Sequence, residues 1–291
     1  MIDFKAPSIS DKERYEAYVH ESGQIGSDVS FTNVYLWQKR YGIRLAFDGG
    51  VYYKSYAMDG GVTGYSFPLT RGDIRPAVEN ILLDAKERGI KPMIGLLNTA
   101  NAELMQRHFP DRIADIREDR NSFDYIYERE HLAELSGKKY HAKRNHISRF
   151  KRNNSNYSVK EINTDNTADA LAVAERWQGD NIDTGELPLI REALAHLEAL
   201  GMFGLILYVE NKPVAMCLAS EINSCVCDVH FEKAVEIDEA YAVINNEFAK
   251  HFTQYTLINR EEDMGLEGLR KAKLSYHPDI LYSKSHARFL P

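Results

Sequence analysis

The stretch TLINREEDMGLEGLRKAKLSYHPDILYSK, residues 256–284, decides how the chain reads. It opens with a short apolar run, Thr256 to Ile258, of strand composition, and breaks at once into Asn259, Arg260, Glu261, Glu262 and Asp263. Gly265 and Gly268 follow, then a helical segment with Arg270, Lys271 and Lys273, closed by Tyr276-His277-Pro278. A strand that ends in polar groups, then glycines and a helix, is where α/β proteins place ligand chemistry. The strand end opens on a crevice, and the helix start offers free N–H groups. Helix punctuation is the competing reading. Acids before the helix and bases toward its end suit the macrodipole, Glu267 and Lys271 are spaced i,i+4, and Pro278 is a stop signal. Three acids in a row exceed what a cap requires. Glu261, Glu262, Asp263, Arg270 and His277 therefore enter as substrate-binding candidates.

Working outward, a helix over Ala240–Phe252 connects this strand to an earlier one, Cys225–Lys233. Period two puts Cys225, Cys227, Val229 and Phe231 on one face of that earlier strand and Val226, Asp228, His230 and Glu232 on the other. Histidine titrates near neutrality and a carboxylate orients it, so such a row suits proton transfer. The solvent-facing side of an antiparallel sheet explains the same row and is preferred for Asp228. His230 and Glu232 are taken as candidate bases.

The rest of the chain alternates strands and helices. Ser10–Tyr18 reads as a helix with Ser10 as N-cap and Glu13 completing a capping box, and residues 30–43 as a second amphipathic helix. Strands near 43–47, 51–57 and 62–67, separated by Asp48-Gly49-Gly50 and Asp59-Gly60-Gly61, form an antiparallel meander. Asp73 caps a helix to about Arg88, ended by Gly89. A strand Pro92–Leu97, a helix Thr99–Phe109 and a strand pair over 113–117 and 122–127 follow. In the second half, a strand Tyr157–Ile162 precedes helices Ala168–Trp177 and Pro188–Leu200. A hairpin over 202–210 and 214–222 then leads to the strand at Cys225. The two halves share an element order, a hint of two copies of one fold.

Between them lies KKYHAKRNHISRFKR, residues 138–152, with seven Lys and Arg and no acid. Tyr140, Ile147 and Phe150 give it an apolar stripe, and the polar NNSNYS after it has linker composition. A basic helix is a candidate phosphate contact, with Lys139, Lys143, Arg144 and Arg149 as the residues. A solvated helix neutralised by acidic neighbours remains the alternative.

Bulk properties set limits. The 291 residues suit two domains, and 44% hydrophobic with 27% charged is ordinary globular composition. A net charge of −7 excludes a general polyanion binder, so any nucleic-acid contact is local. Three cysteines without a second ligand pair point to a reducing compartment and to core packing, not to zinc. The amino terminus has no signal-peptide core and no run is apolar enough to span a membrane. A cytoplasmic protein without a metal is expected.

SFTNVYLW, GKKYHAKRNHISRF, VHFEKA and NREEDMGLEGLRKAKLSYHP together resemble the bacterial family of the phosphatidylglycerol lysyltransferase carboxy-terminal domain, especially its small soluble members of unknown function. The resemblance runs along nearly the whole chain. It implies an α/β protein with mixed sheets and two tandem GNAT-like acyltransferase domains, similar to Fem-type aminoacyltransferases. The expected division is 1–136, a basic connecting helix and linker at 137–156, and 157–291. Relatives of this kind move an amino acid from aminoacyl-tRNA to an amine or lipid hydroxyl. The implied function is a soluble acyl- or aminoacyltransferase using aminoacyl-tRNA and a small-molecule or peptide acceptor. His230 or Glu232 would be the base, and Asn259, Lys273 or Tyr276 would steady the oxyanion or protonate the leaving ribose oxygen. The sequence has no counterpart of the lysyltransferases' membrane-spanning half, so a lipid acceptor is not expected. The loop where acetyl-CoA-using GNAT enzymes cradle pyrophosphate reads Glu236-Ile237-Asp238-Glu239, without glycine and with three carboxylates, so acetyl-CoA is not expected either. An N-acyltransferase using an acyl-CoA in another manner, or a non-catalytic binding module on the same fold, are the rival functions.

Overall fold

A computed structural model describes residues 1–57, 63–180, 185–237 and 239–290, except for the side chain of Asp180. The expected turn Asp59-Gly60-Gly61 and the loop residue Asp238 lie outside the described residues. The chain is mixed α/β and clusters into two compact units. Unit 1 comprises Met1–Asp124, Glu262–Glu267 and Leu281–Pro291; unit 2 comprises Tyr125–Glu261 and Gly268–Ile280.

Unit 1 is built on a sheet in the order β1-β2-β3-β5-β14-β6, with β4 (Leu69–Thr70) on β2. Strands β1 (Arg44–Asp48), β2 (Val51–Ala57) and β3 (Thr63–Ser66) form the expected antiparallel meander. β3 then pairs in parallel with β5 (Met93–Leu97) through only Tyr65↔Ile94 and Ser66↔Gly95. Helix α3 (Ile74–Glu87), capped by the Asp73 side chain, crosses between them and packs Val78, Ile81 and Ala85 on Tyr65 and Ile94. Helix α1 (Lys12–Ser22) starts later than expected. Ser8 and Asp11 form the capping box, and a 3-10 turn over Ile9–Asp11 precedes the helix. α2 (Phe31–Leu36), capped by Ser30, is one short helix and not the expected fourteen-residue one. α4 (Thr99–His108) follows β5.

The expected pairing of 113–117 with 122–127 does not form. β6 (Ile113–Glu118) pairs with β14 (Ser285–Phe289), while β7 (Asp124–Glu128) enters the second sheet beside β12 (Leu257–Asn259). The reason lies in the last residues: SHARF is too short and polar to announce a strand, yet it fills the gap between β5 and β6. The unit boundary accordingly falls at Asp124, ahead of the expected 137–156 segment.

Unit 2 carries most of the second sheet, ordered β13-β7-β12-β11-β10-β9-β8, with β13 spanning Ile280–Tyr282. β8 (Tyr157–Glu161), β9 (Phe203–Val209), β10 (Lys212–Asn223) and β11 (Val226–Ala234) are antiparallel neighbours. β11 and β12 run parallel through three pairs only, Val226↔Leu257, Cys227↔Ile258 and Asp228↔Asn259, joined by α9 (Ala240–His251). The basic segment becomes a 3-10 turn and α6 (His141–Asn153), inside unit 2, burying the expected Tyr140, Ile147 and Phe150. α5 (Arg129–Glu134), α7 (Thr167–Asp180), α8 (Glu186–Ala195) and α10 (Glu267–Leu274) complete the helices among the described residues. Cys217 and Cys227 are buried as expected, but Cys225 is exposed because β11 begins one residue after it.

Candidate active site

Where β11 and β12 part, beyond Asp228 and Asn259, a break in the ladder reorders the polar row. Leu218 of β10 pairs with Phe231 and Ala219 with Val229, so His230 is the extra residue of a β-bulge. The bulge shifts the alternation of everything after it. Ser220 pairs with Asp228, whereas Cys217, on the opposite face, pairs with Glu232. His230 stays with the first group: its Nε2 lies 2.8 Å from Ser220 Oγ and its Nδ1 3.6 Å from an Asp228 oxygen. The expectation that His230 and Glu232 share a face is therefore overturned by one inserted residue.

His230 Nδ1 lies 3.0 Å from Glu261 Oε1. A carboxylate accepts, so the imidazole donates from Nδ1, and its Nε2 then accepts from the Ser220 hydroxyl. His230 and Asp228 side chains are sealed from solvent, while Glu261 retains 18% exposure, so Glu261 is the member a substrate can reach. The turn that aims it is strongly determined. Glu261 has φ +56°, its N–H donates to Asn259 Oδ1 at 2.7 Å, and its carbonyl accepts from Tyr125 N at 3.2 Å. Lys273 Nζ donates to the carbonyls of Arg260 and Glu261, at 2.5 and 3.1 Å. Asn259 and Lys273, expected to touch the reacting group, instead hold this turn. Asp228, His230 and Glu261 also have ligand-type atoms within 4.8 Å of one another, a donor set able to hold a metal ion.

The opposite face carries a second cluster. Arg260 Nη2 donates to Glu232 Oε1 at 2.8 Å, and Asn245 Nδ2 to the other Glu232 oxygen at 3.3 Å. Arg260 lies 5.1 Å from the Tyr276 ring centroid, and Lys143 Nζ 3.8 Å from the same centroid. Burial opposes the Arg260 charge, but Glu232 and the tyrosine rings hold it above its usual range. Burial, helped by Arg260 and opposed by Glu232, pushes Lys143 down to about 8. Burial raises the Tyr276 phenol, so it stays protonated. The Tyr127 side chain also bears on the Arg260 guanidinium, whose Nη1 has no other close acceptor among the described residues. Glu232, clamped by a guanidinium and an amide, is poorly placed to accept a proton.

The family pattern described as phosphatidylglycerol lysyltransferase, C-terminal, matches residues 20–288. The chain belongs to this family. Its crystal-structure relatives include a protein of unknown function from Bacteroides thetaiotaomicron, 35% identical, covering 100% of both chains with a TM-score of 0.93. The C-terminal domain of a putative lysylphosphatidylglycerol synthetase from Agrobacterium fabrum is similar in fold at 14% identity, covering 96% of this chain and 92% of that one, TM-score 0.68. FemX shares the fold as well, at 9% identity over 98% and 97% of the chains with a TM-score of 0.55. An uncharacterized protein of Mycoplasmoides gallisepticum is 25% identical over 174 residues, 56% of this chain and 55% of that relative. The match thus spans about half the length of that curated relative.

The remaining expected residues of this lysyltransferase-family chain disperse. Glu262 and Asp263 belong to unit 1, where Glu262 acts electrostatically on Lys284 and buried Asp263 pairs with Arg120 at 3.3 Å and caps Gly265 N. Arg270 is half-buried on α10, and His277 Nε2 lies 3.2 Å from the Lys139 carbonyl. On α6, Arg144 donates to the carbonyls of Leu135 and Gly137 and Arg149 pairs with Glu239, while Lys139, in the 3-10 turn before it, lies 4.9 Å from the Tyr140 ring centroid. Of the four basic candidates, only Lys143 joins the cluster. Ser220 and Arg260 were missed. The first shows only through the β10–β11 register; the second stood in plain view beside three acids that drew the attention.

Proposed function

We propose that the chain is an aminoacyltransferase that takes its donor from aminoacyl-tRNA and acylates an amine or hydroxyl of a small molecule or peptide. Family membership supports the reaction type. The observation that carries it is the Glu261 carboxylate, aimed by a left-handed turn and backed by His230 and Ser220 where β11 and β12 diverge. Glu261 removes the proton of the attacking group, with His230 as its positioning residue. The carbonyl oxygen gains charge as the new bond to the acyl carbon forms; Arg260, clustered with Glu232 on the other face of the sheet, is given no part in this step. The ester bond then breaks, and the proton held by Glu261 passes to the departing ribose oxygen. Lys143, beside Arg260, favours phosphate near that end of the tRNA.

This reading leaves no role for acetyl-CoA. The turn before α9 carries Glu236 and Glu239, already matched by Arg176 and Arg149. Calorimetry with acetyl-CoA is expected to give no saturable heat. The test of the proposal is discharge of radiolabelled aminoacyl-tRNAs by the full chain, with the low-molecular-weight fraction of a cell lysate as acceptor source. Protein-dependent discharge into a new acylated product is expected. Discharge no faster than spontaneous hydrolysis for every amino acid tried would defeat it.

A further inference from the structure

Unit 1 has its own diverging parallel pair, β3 and β5, and a row of buried polar groups gathers there that the reaction above does not use. The register places Lys54, Tyr56, Gly64, Ser66 and Gly95 on one face of the sheet, opposite the packed face of Tyr53, Tyr65 and Ile94. A small pocket opens on this face, lined among others by Tyr15, Asp28, Lys54, Ser66 and Leu96. Leu96, on its rim, holds φ +57°, a conformation that costs a branched side chain free energy and marks functional sites.

Several buried polar groups on this face have no partner among the described residues. Ser66, 4% exposed, has a hydroxyl without a partner among the described residues. The buried Tyr56 hydroxyl and His286 Nδ1 likewise have none. Both crowd over Gly95, where an added Cβ would lie 2.2 Å from Tyr56 Oη and 2.4 Å from His286 Nδ1. Among the described residues Lys54, 8% exposed, donates only to the Asp28 backbone carbonyl, which leaves two of its N–H groups for another acceptor. Native proteins satisfy nearly all buried polar groups, so several orphans on one glycine-floored face call for a ligand. Asp28 offsets part of the Lys54 charge, but the carboxylates nearby are shared with a second cation. Lys284 Nζ already takes Asp124 at 2.8 Å and Asp28 at 3.2 Å.

We infer that this face of unit 1 is a second binding site, built to receive the oxyanion end of a small molecule, a carboxylate or a phosphate. One oxygen would take the free N–H groups of Lys54 and the Ser66 hydroxyl, another the Tyr56 hydroxyl. Burial keeps the Tyr56 phenol protonated and therefore a donor. Burial, together with Lys284, also pushes the Lys54 ammonium down to about 8, a cost that an incoming anion relieves. This inference stands apart from the transfer reaction assigned to unit 2.

The test uses the full chain with inorganic phosphate and with acetate, read by thermal shift and calorimetry against sodium chloride at equal ionic strength. At least one of the two is expected to bind saturably and raise the melting temperature. A response to phosphate alone would assign a phosphate ester, and a response to acetate a carboxylate. Lys54→Met, Ser66→Ala and Tyr56→Phe should each weaken binding by about tenfold or more, as loss of a charge-assisted or buried hydrogen bond does. The ligand-free hydroxyl variants give the discriminating control. Because those hydroxyls lack partners, Ser66→Ala and Tyr56→Phe should melt no lower than wild type. Lower melting in both, unaltered binding in all three variants, or no response to either anion would overturn the inference.

Discussion

Each unit holds one lysine pushed down to about 8 by burial: Lys54 beside β3 and β5, and Lys143 over Tyr276 near β11 and β12. In both cases a second cation, already committed to carboxylates, adds to the effect: Lys284 in unit 1 and Arg260 in unit 2. The surroundings then differ. In unit 2 the chain behind the base is paired at each link: Ser220 donates to His230 and His230 to Glu261. In unit 1 the Ser66 and Tyr56 hydroxyls have no partner among the described residues, and Lys54 gives one of its three N–H groups to the Asp28 carbonyl. A closed network fixes the geometry of a base before substrate arrives, whereas open donors wait for a group to complete them. The two proposals differ accordingly: pre-organised chemistry in unit 2 and capture in unit 1.

The sharpest break of this comparison is at the committed cations. Lys284 is 2% exposed and touches Asp124, Asp28 and Ser27. Lys284→Met strands two carboxylates in the interior, and a loss of about 3–5 kcal/mol in chemical denaturation is expected. Arg260→Met should cost less, about 1–3 kcal/mol, because Glu232 keeps the Asn245 amide and 12% exposure. Equal losses would mean that the two cations are equally buried in effect.

A pH titration sharpens the comparison at Lys54. Its folded-state value is near 8, below the usual lysine range of about 10.4, so between these limits the unfolded chain binds more protons and stability rises with pH. The wild type should gain on the order of 3 kcal/mol across that interval relative to Lys54→Met. The difference between the two proteins removes the matching contribution of Lys143. A flat difference would contradict the burial of the Lys54 ammonium. The smallest effect concerns α6: Lys143→Glu should lower the slope of log affinity for tRNA against log salt by about one. An unchanged slope would remove Lys143 from phosphate contact and leave α6 as a packing helix.

Most helices and strands were legible because their periodicity and caps are local: Asp73 and Gly89 bound α3, and Tyr140, Ile147 and Phe150 mark the buried side of α6. What escaped was non-local. β14 is a strand only because β5 and β6 leave room for it. The pairing of His230 with Glu261 was within reach, since both lie past the ends of one parallel pair. The separation of His230 from Glu232 was not, because a bulge is set by the partner strand and leaves no mark in an alternating sequence. His230 is buried, which its place in an alternating row did not show. The unit 1 face was invisible: Lys54, Tyr56 and Ser66 lie close together on β2 and β3 but read there as ordinary strand residues, and His286 reaches them only through β14.

The central claim is that the Glu261 carboxylate is the base of an acyl transfer. Single-turnover transfer from aminoacyl-tRNA, measured beside tRNA affinity for wild type and Glu261→Gln, tests it most directly. The account predicts that the variant's rate falls by roughly 10²–10⁴-fold while its tRNA affinity stays within about twofold. A rate equal to wild type, or a loss that merely follows weakened binding, would contradict it.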